Sequence, residues 1–209
     1  MTNVNEVILQ GIIVHKFVTD KVAILTIGTG NATRKPNYPK VVCFNEVKDD
    51  VRDLFELGDR VRVTGNIQSS KYKKEIKNQN TLSVFAEKVE PAFSTLKSEF
   101  EDADISNEGY IPSINKFKVA GKVVRVESPS DGIVRLTVSA TKNNRISFIK
   151  LTYFVKDVDS IMTTYNPGDQ VFAIGVVQTV KKGSDVVKHF ENYVVTSLSK
   201  TEIDSEKEE

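Results

Sequence analysis

"KVVCFNEVKDDVRDLFELGDRVRVTGNIQ", residues 40 to 68, reads as a strand, a short amphipathic helix, a Gly-Asp turn and a second strand. The chain says nearly the same thing 110 residues later in "KLTYFVKDVDSIMTTYNPGDQVFAIGVVQ", residues 150 to 178. At that offset Asn5 meets Asn115, Gly11 meets Gly121, Phe44 meets Phe154, Gly58-Asp59 meets Gly168-Asp169, Gly65 meets Gly175 and Gln68 meets Gln178. A constant offset over about 70 residues marks a duplicated domain, and its period is far too long for a solenoid.

Outward from the quoted stretch, the first copy begins with the alternating strand "EVILQGIIVHKF" and continues through "VAILTIGT", "YPKVVCFN", the helical "VKDDVRDLFEL", "RVRVTGNIQSSKY" and "TLSVFAEKVE". Val47, Val51, Leu54 and Phe55 recur at helical spacing, and Gly58 is placed to end the helix in a left-handed turn. The strands alternate with period two, the pattern of sheets with one face in a core. Gly11 and Gly65, mid-strand and repeated as Gly121 and Gly175, mark the sharp bends a small barrel needs. Five short strands with one helix between the third and fourth match the partly open Greek-key barrel called the OB-fold. The predicted fold is therefore all-β, with OB barrels at residues 1–90 and 115–200, an acidic linker at 91–114 and an acidic tail at 201–209.

Composition narrows the chemistry. With Cys43 as the lone cysteine and only His15 and His189 as histidines, there is no disulfide and no metal-ligand spacing. No carboxylate pair, phosphate-cradling loop or nucleophile with a sequence-evident base stands out, so neither an enzyme, a metal site nor a cofactor is expected. No stretch approaches the roughly 20 apolar residues that span a bilayer, and "MTNVNEVILQ" lacks the features of a secretory signal, so a cytoplasmic protein without membrane contact is expected. The net charge of +1 resolves by segment into +3 for residues 1–90, −4 for 91–114, +6 for 115–200 and −4 for 201–209. Two basic bodies are separated and followed by acidic segments, which suits a polyanionic partner.

Strand parity says where that partner would lie. Tyr38, Lys40, Val42 and Phe44 share one face of the third strand, with Val41 and Cys43 on the other. The second copy repeats the pattern as Phe148, Lys150, Thr152 and Phe154, against Ile149, Leu151 and Tyr153. Amines can track phosphates while rings stack on bases, each stack being worth about 1–3 kcal/mol and largely indifferent to sequence. The competing expectation is that Phe44 and Phe154 are core residues. In the fourth strand Arg60, Arg62, Thr64, Asn66, Gln68 and Tyr72 form a polar, basic face that runs into the lysine-rich "SSKYKKEIKNQN", with Lys71, Lys73, Lys74 and Lys77 around Tyr72. "TGNATRKPNY", with Arg34 and Lys35, is the companion loop. The second copy differs here: Phe172, Ile174 and Val176 replace the polar outer residues and Lys182 stands at the position of Tyr72. An exposed apolar row of that kind predicts a protein interface.

The first copy resembles the bacterial-type single-stranded DNA-binding protein family, through "NEVILQGIIV", "VVCFNEVKDDVRDLFELGDRVRVTGNIQSSKY" and "VFAEKV". The resemblance covers residues 4 to 90 and implies stacking roles for Tyr38, Phe44 and Tyr72, with Phe148 and Phe154 as their partial counterparts in the second copy. It also implies tandem OB domains that pair into a four-barrel homodimer, a monomer being the alternative, and replication or recombination proteins as partners. The chain ends Lys207-Glu208-Glu209, without the family's proline and phenylalanine tip, so recruitment through that tip does not carry over. The expected function is sequence-independent coating of single-stranded DNA. An OB assembly module and an RNA-binding OB protein are the alternatives, since stacking and phosphate attraction do not by themselves separate RNA from DNA.

Overall fold

A computed structural model describes residues 4–31, 34–74, 77–92, 113–182 and 188–201. The first copy builds strands β1 (Asn5–Val18), β2 (Ala23–Asn31), β3 (Arg34–Asn37) and β4 (Lys40–Cys43), helix α1 (Asn45–Leu54), and strands β5 (Arg60–Lys74) and β6 (Lys77–Pro91). The second builds β7 (Ile114–Ser130), β8 (Ile133–Lys142), β9 (Arg145–Phe154), α2 (Val158–Thr164), β10 (Gln170–Lys182) and β11 (Lys188–Lys200).

In the first barrel β1 pairs with both β2 and β5, β2 pairs with β4, β4 lies parallel to β6, and β6 returns to β5. The second closes through β7, β8, β9, β11 and β10 in the same order, again with one parallel pair, β9 with β11. Both are closed five-stranded OB barrels, so no barrel strand keeps a long free edge. Inward positions fill them: Val7, Leu9, Ile13, Leu25, Ile27, Val41, Val61 and Val63 in one, Phe117, Val119, Leu136, Val138, Ile149, Leu151 and Tyr193 in the other, all essentially inaccessible.

The repeated glycines mark closure points. A Cβ on Gly11 would lie 2.2 Å from the Gly28 carbonyl oxygen, and one on Gly121 would lie 2.2 Å from that of Ser139. Gly65 and Gly175 stand equally close to the Phe85 and Val194 carbonyls. Only a residue without a side chain lets these backbones meet. The Gly-Asp turns repeat bond for bond. Gly58 and Gly168, at φ +94° and +104°, donate to the carbonyls of Ile13 and Val123, and Asp59 and Asp169 accept from the N–H groups of Glu56 and Asn166 at 2.7 Å.

Three local expectations change. Helix α1 ends at Leu54 with Phe55 extended, so Gly58 shapes the following turn rather than the helix terminus. Val51 and Phe55 are buried whereas Leu54 is open to solvent, because the helix stops before its stripe completes another turn. The expected loop around Arg34 and Lys35 contains an extra strand, β3, separated from β4 by Tyr38 and Pro39. Pro39 has no N–H to contribute to a ladder, although its carbonyl accepts from Ile27 at 3.0 Å. The second copy lacks those prolines and runs its third strand unbroken as β9 from a turn in which Asn143 and Asn144 both have positive φ, the geometry favoured in two-residue hairpins.

The chain divides into two compact units, interleaved in sequence: Val7–Asn66 with Val84–Asn115, and Met1–Glu6 with Ile67–Ser83 and Lys116–Glu209. Within the second of these, Ala120 donates to the Val4 carbonyl at 2.7 Å and Lys118 lies 3.7 Å from Glu6. The backbone of Phe148 donates to Ser69 Oγ at 3.1 Å while the Ser69 N–H donates to Ser147 Oγ at 3.4 Å. The hairpin of the first copy thus belongs to the unit that contains the second barrel. Among the described residues no helix is long and apolar enough to cross a membrane.

Two buried groups show how the cores treat ionisable chemistry. Burial pushes the Cys43 thiol up to about 12, so it packs as a small apolar group rather than reacting as a thiolate. Tyr193 packs edge-on against Phe117 and donates to Glu191 Oε2, and burial, reinforced by that carboxylate, holds its phenol well above its usual range. A raised acid contributes stability while it is neutral. That stability is intact below the unfolded tyrosine value of about 10 and falls as pH rises beyond it. Urea midpoints measured between neutrality and about pH 11 should fall more steeply for the wild type than for Tyr193→Phe; parallel curves would show that Tyr193 is not the source.

Candidate functional site

Parity places the third-strand rings outside. Val41, Cys43, Ile149 and Leu151 are fully buried, whereas Phe44 is 43% and Phe154 53% exposed, so these rings are surface groups. Tyr38, Phe148, Lys40 and Lys150 are exposed beside them. Phe44 is the last extended residue before α1, with φ −126° and ψ 167°, and its ring stacks on Phe85 at 5.6 Å between centroids.

Strand register sorts the outer face of the first barrel into three rows. The lowest is apolar: Phe17 faces Ile24, Ile24 faces Val42, and Val42 faces Phe85. The next is polar and cationic, with His15 facing Thr26 and Thr26 facing Lys40. The third holds Ile12 facing Gly28, and here the absent side chain matters, since a Cβ on Gly28 would lie 3.1 Å from Val14 Cγ1 and 3.7 Å from Tyr38 Cε1. Successive rows are two residues apart, about 7 Å along the strands. Rings therefore bracket a cationic row, an arrangement that can hold bases above and below a line of phosphates.

The second barrel keeps the middle row and changes the other two. Its middle row is Arg125, Thr137 and Lys150, and its upper row is Lys122, Ser139 and Phe148. Its lower row is Glu127, Arg135, Thr152 and Val194, where Glu127 pairs with Arg125 at 2.9 Å and Arg135 at 3.7 Å. Thr152, buried, donates to Asn192 Oδ1 at 2.7 Å, and Phe154 remains open at the end of β9.

Other expected site residues fare differently. Arg62 lies on the outer face of β5 opposite Gln10 but is half-buried, and Asn66 is buried with its amide on Glu87 at 2.8 Å, so this is not the open basic face that alternation suggested. Phe172, Ile174 and Val176 alternate with buried neighbours as expected, yet each is half-buried rather than exposed. Packing against neighbouring strands of their own sheet lowers their accessibility: Phe172 faces Ala120 and Ser199, and Val176 faces Val194. Arg34 and Lys35 lie on β3, Lys71, Tyr72, Lys73 and Lys74 on the extension of β5, and Lys182 at the end of β10. Their side chains, like the linker at 93–112 and the tail at 202–209, lie outside the described residues.

Phe17, Phe85, His15, Arg125 and Arg135 were not singled out from sequence. For Phe17, His15 and Arg125 the cause is one irregularity. Strict alternation from Val7, Leu9 and Ile13 sends positions 15 and 17 inward, but β1 has a bulge between Ile13 and His15 that reverses the phase. The second copy has the same bulge between Val123 and Arg125. Phe85 follows the buried Val84, so its outward parity was available, though its stacking on Phe44 was not.

Residues 4–92 match the single-strand binding protein family. No curated protein matches the chain. Among solved structures, a deletion variant of the single-stranded DNA binding protein from Thermus aquaticus aligns with TM-score 0.68 and 18% identity, covering 99% of this chain and 98% of that one. The wild-type Thermus aquaticus protein aligns with TM-score 0.67 and 18% identity over 97% and 95% of the two chains. At that identity the likeness is one of fold, and it extends through both barrels.

Proposed function

We propose, from the match of residues 4–92 to the single-strand binding protein family, that the protein coats single-stranded DNA without reading its sequence. The observation that carries this is the recurrence of a cationic row next to exposed rings in both barrels: His15-Thr26-Lys40 beside Tyr38 and Phe44, and Arg125-Thr137-Lys150 beside Phe148 and Phe154. Stacking accepts every base and the amines accept every phosphate, so affinity follows strand exposure rather than sequence. The lysine-rich extension of β5 with Tyr72, and Arg34 and Lys35 on β3, extend the track in this proposal. The acidic linker and tail occupy it when no strand is bound and compete with incoming DNA for it. Protein contacts, with a second copy or with replication and recombination proteins, are assigned to the row of Phe172, Ile174 and Val176.

Fluorescence anisotropy of labelled oligo(dT), the matching RNA and duplex DNA over a salt series tests the proposal. Single strands should bind best, with log affinity falling by about 0.7 per phosphate contact for each decade of salt. Equal or tighter duplex binding would overturn it, and no binding at low salt would favour an assembly module instead.

A further inference from the structure

The shared bulge does more than bend a strand. By placing two residues of β1 against one of β2, it turns both Val14 and His15 outward, and it does the same to Val124 and Arg125 on β7. Each pair sets an apolar group beside a titratable or charged one at the end of the middle row. We propose that positions 15 and 125 are phosphate contacts and that, because one is histidine and the other arginine, the first barrel grips single-stranded DNA in a pH-dependent way while the second does not. The inference rests on the single-strand reading above.

The charge pattern supports the asymmetry. In the first barrel the middle row holds His15, Thr26 and Lys40, and the row below it is apolar. The neighbouring cation on the same strand, Lys16, is turned toward α1, where its amine donates to the carbonyls of Arg52 and Phe55 and lies 3.6 Å from Glu56. Across the sheet His15 faces Thr26 on β2, with Lys40 beyond it on β4. In the second barrel Arg125 and Arg135 share one carboxylate, Glu127, so with Lys150 the two rows keep a net charge of +2. The corresponding rows of the first barrel contain Lys40 and, at the position equivalent to Arg125, His15. Imidazoles as a class gain charge between pH 8 and 5, a range in which guanidinium and ammonium groups do not change.

The test is the affinity of the full chain for oligo(dT) at about pH 5.8 and about pH 8, over a salt series, for wild type, His15→Gln, His15→Arg and Arg125→Gln. Wild type should bind up to about fivefold tighter at the lower pH, with a salt slope steeper by about 0.7. His15→Gln should lose that difference. His15→Arg should bind at both pH values as the wild type does at the lower one. Arg125→Gln should bind more weakly at both and keep the pH response. A response that survives in His15→Gln, or His15→Arg binding no tighter than wild type at the higher pH, would overturn the assignment. Wild type that binds single strands well but indifferently to pH would sink this inference alone, whereas failure to bind at either pH would remove the single-strand reading beneath it.

Discussion

Alanine at position 65 should cost the first barrel about 3 kcal/mol or more, at the upper end of what overpacking does. The added Cβ would sit 2.1 Å from the Phe85 carbonyl oxygen, 2.9 Å from its carbon and 3.1 Å from Ala86 Cα. All three obstacles are backbone, so no side chain can rotate away, and relief requires β5 to separate from β6 where the barrel closes. Differential scanning calorimetry should show a melting temperature lowered by roughly 6 to 12 °C for a chain of this size. Gly58→Ala is the control: its φ of +94° is unfavourable for alanine, but a Cβ there meets nothing within 4 Å. It should lose only about 1–2 kcal/mol. Gly65 does not have positive φ, so a loss there no larger than at 58 would mean that the strands part at little cost and that closure does not demand glycine at 65.

Phe44→Ala should weaken binding to oligo(dT) by about 1–3 kcal/mol, a factor of roughly 5 to 150, and leave the melting temperature nearly unchanged. The ring is open to solvent on one side and rests on Phe85 on the other, so removing it takes away a stacking platform and little core. Tyr38→Ala should act similarly through the row above Lys40. If each ring holds its own base, the double variant should lose the sum, about 2–6 kcal/mol. A large fall in stability with Phe44→Ala would show that its contact with Phe85 is structural first.

Much of this was legible from the duplicated stretch. Period-two alternation over Lys40–Cys43 and Arg145–Phe154 placed Val41, Cys43, Ile149 and Leu151 inside and the four rings outside, because a strand's parity is a local property. The repeated glycines announced closure for the same reason: an absent side chain is visible in the sequence, and the duplicated spacing showed that its absence had a purpose. Phase was not legible. A bulge adds one residue to one strand, and nothing in "IIVHKF" says that Val14 and His15 both turn outward, because the irregularity exists only against the partner β2. Partner identity was equally hidden. That Phe85 lies under Phe44, or that Glu127 is shared by two arginines, depends on which strands meet and in which register. The half-burial of Phe172, Ile174 and Val176 is of the same kind, since exposure depends on neighbours that a single strand cannot name.

The interleaving of the compact units sets an order of events during synthesis. Residues 67–83 belong with 116–209, and Ser69 finds its partners in Ser147 and Phe148. A ribosome adding roughly 5 to 20 residues per second needs about 3 to 13 s to travel from residue 83 to residue 148. During that interval most of the first barrel can close from strands already made, while its long hairpin waits without the edge it will bind. The early half of the chain thus spends seconds with a lysine-rich β-ribbon in search of a partner, and those lysines give the waiting ribbon a charge that discourages pairing with another nascent copy.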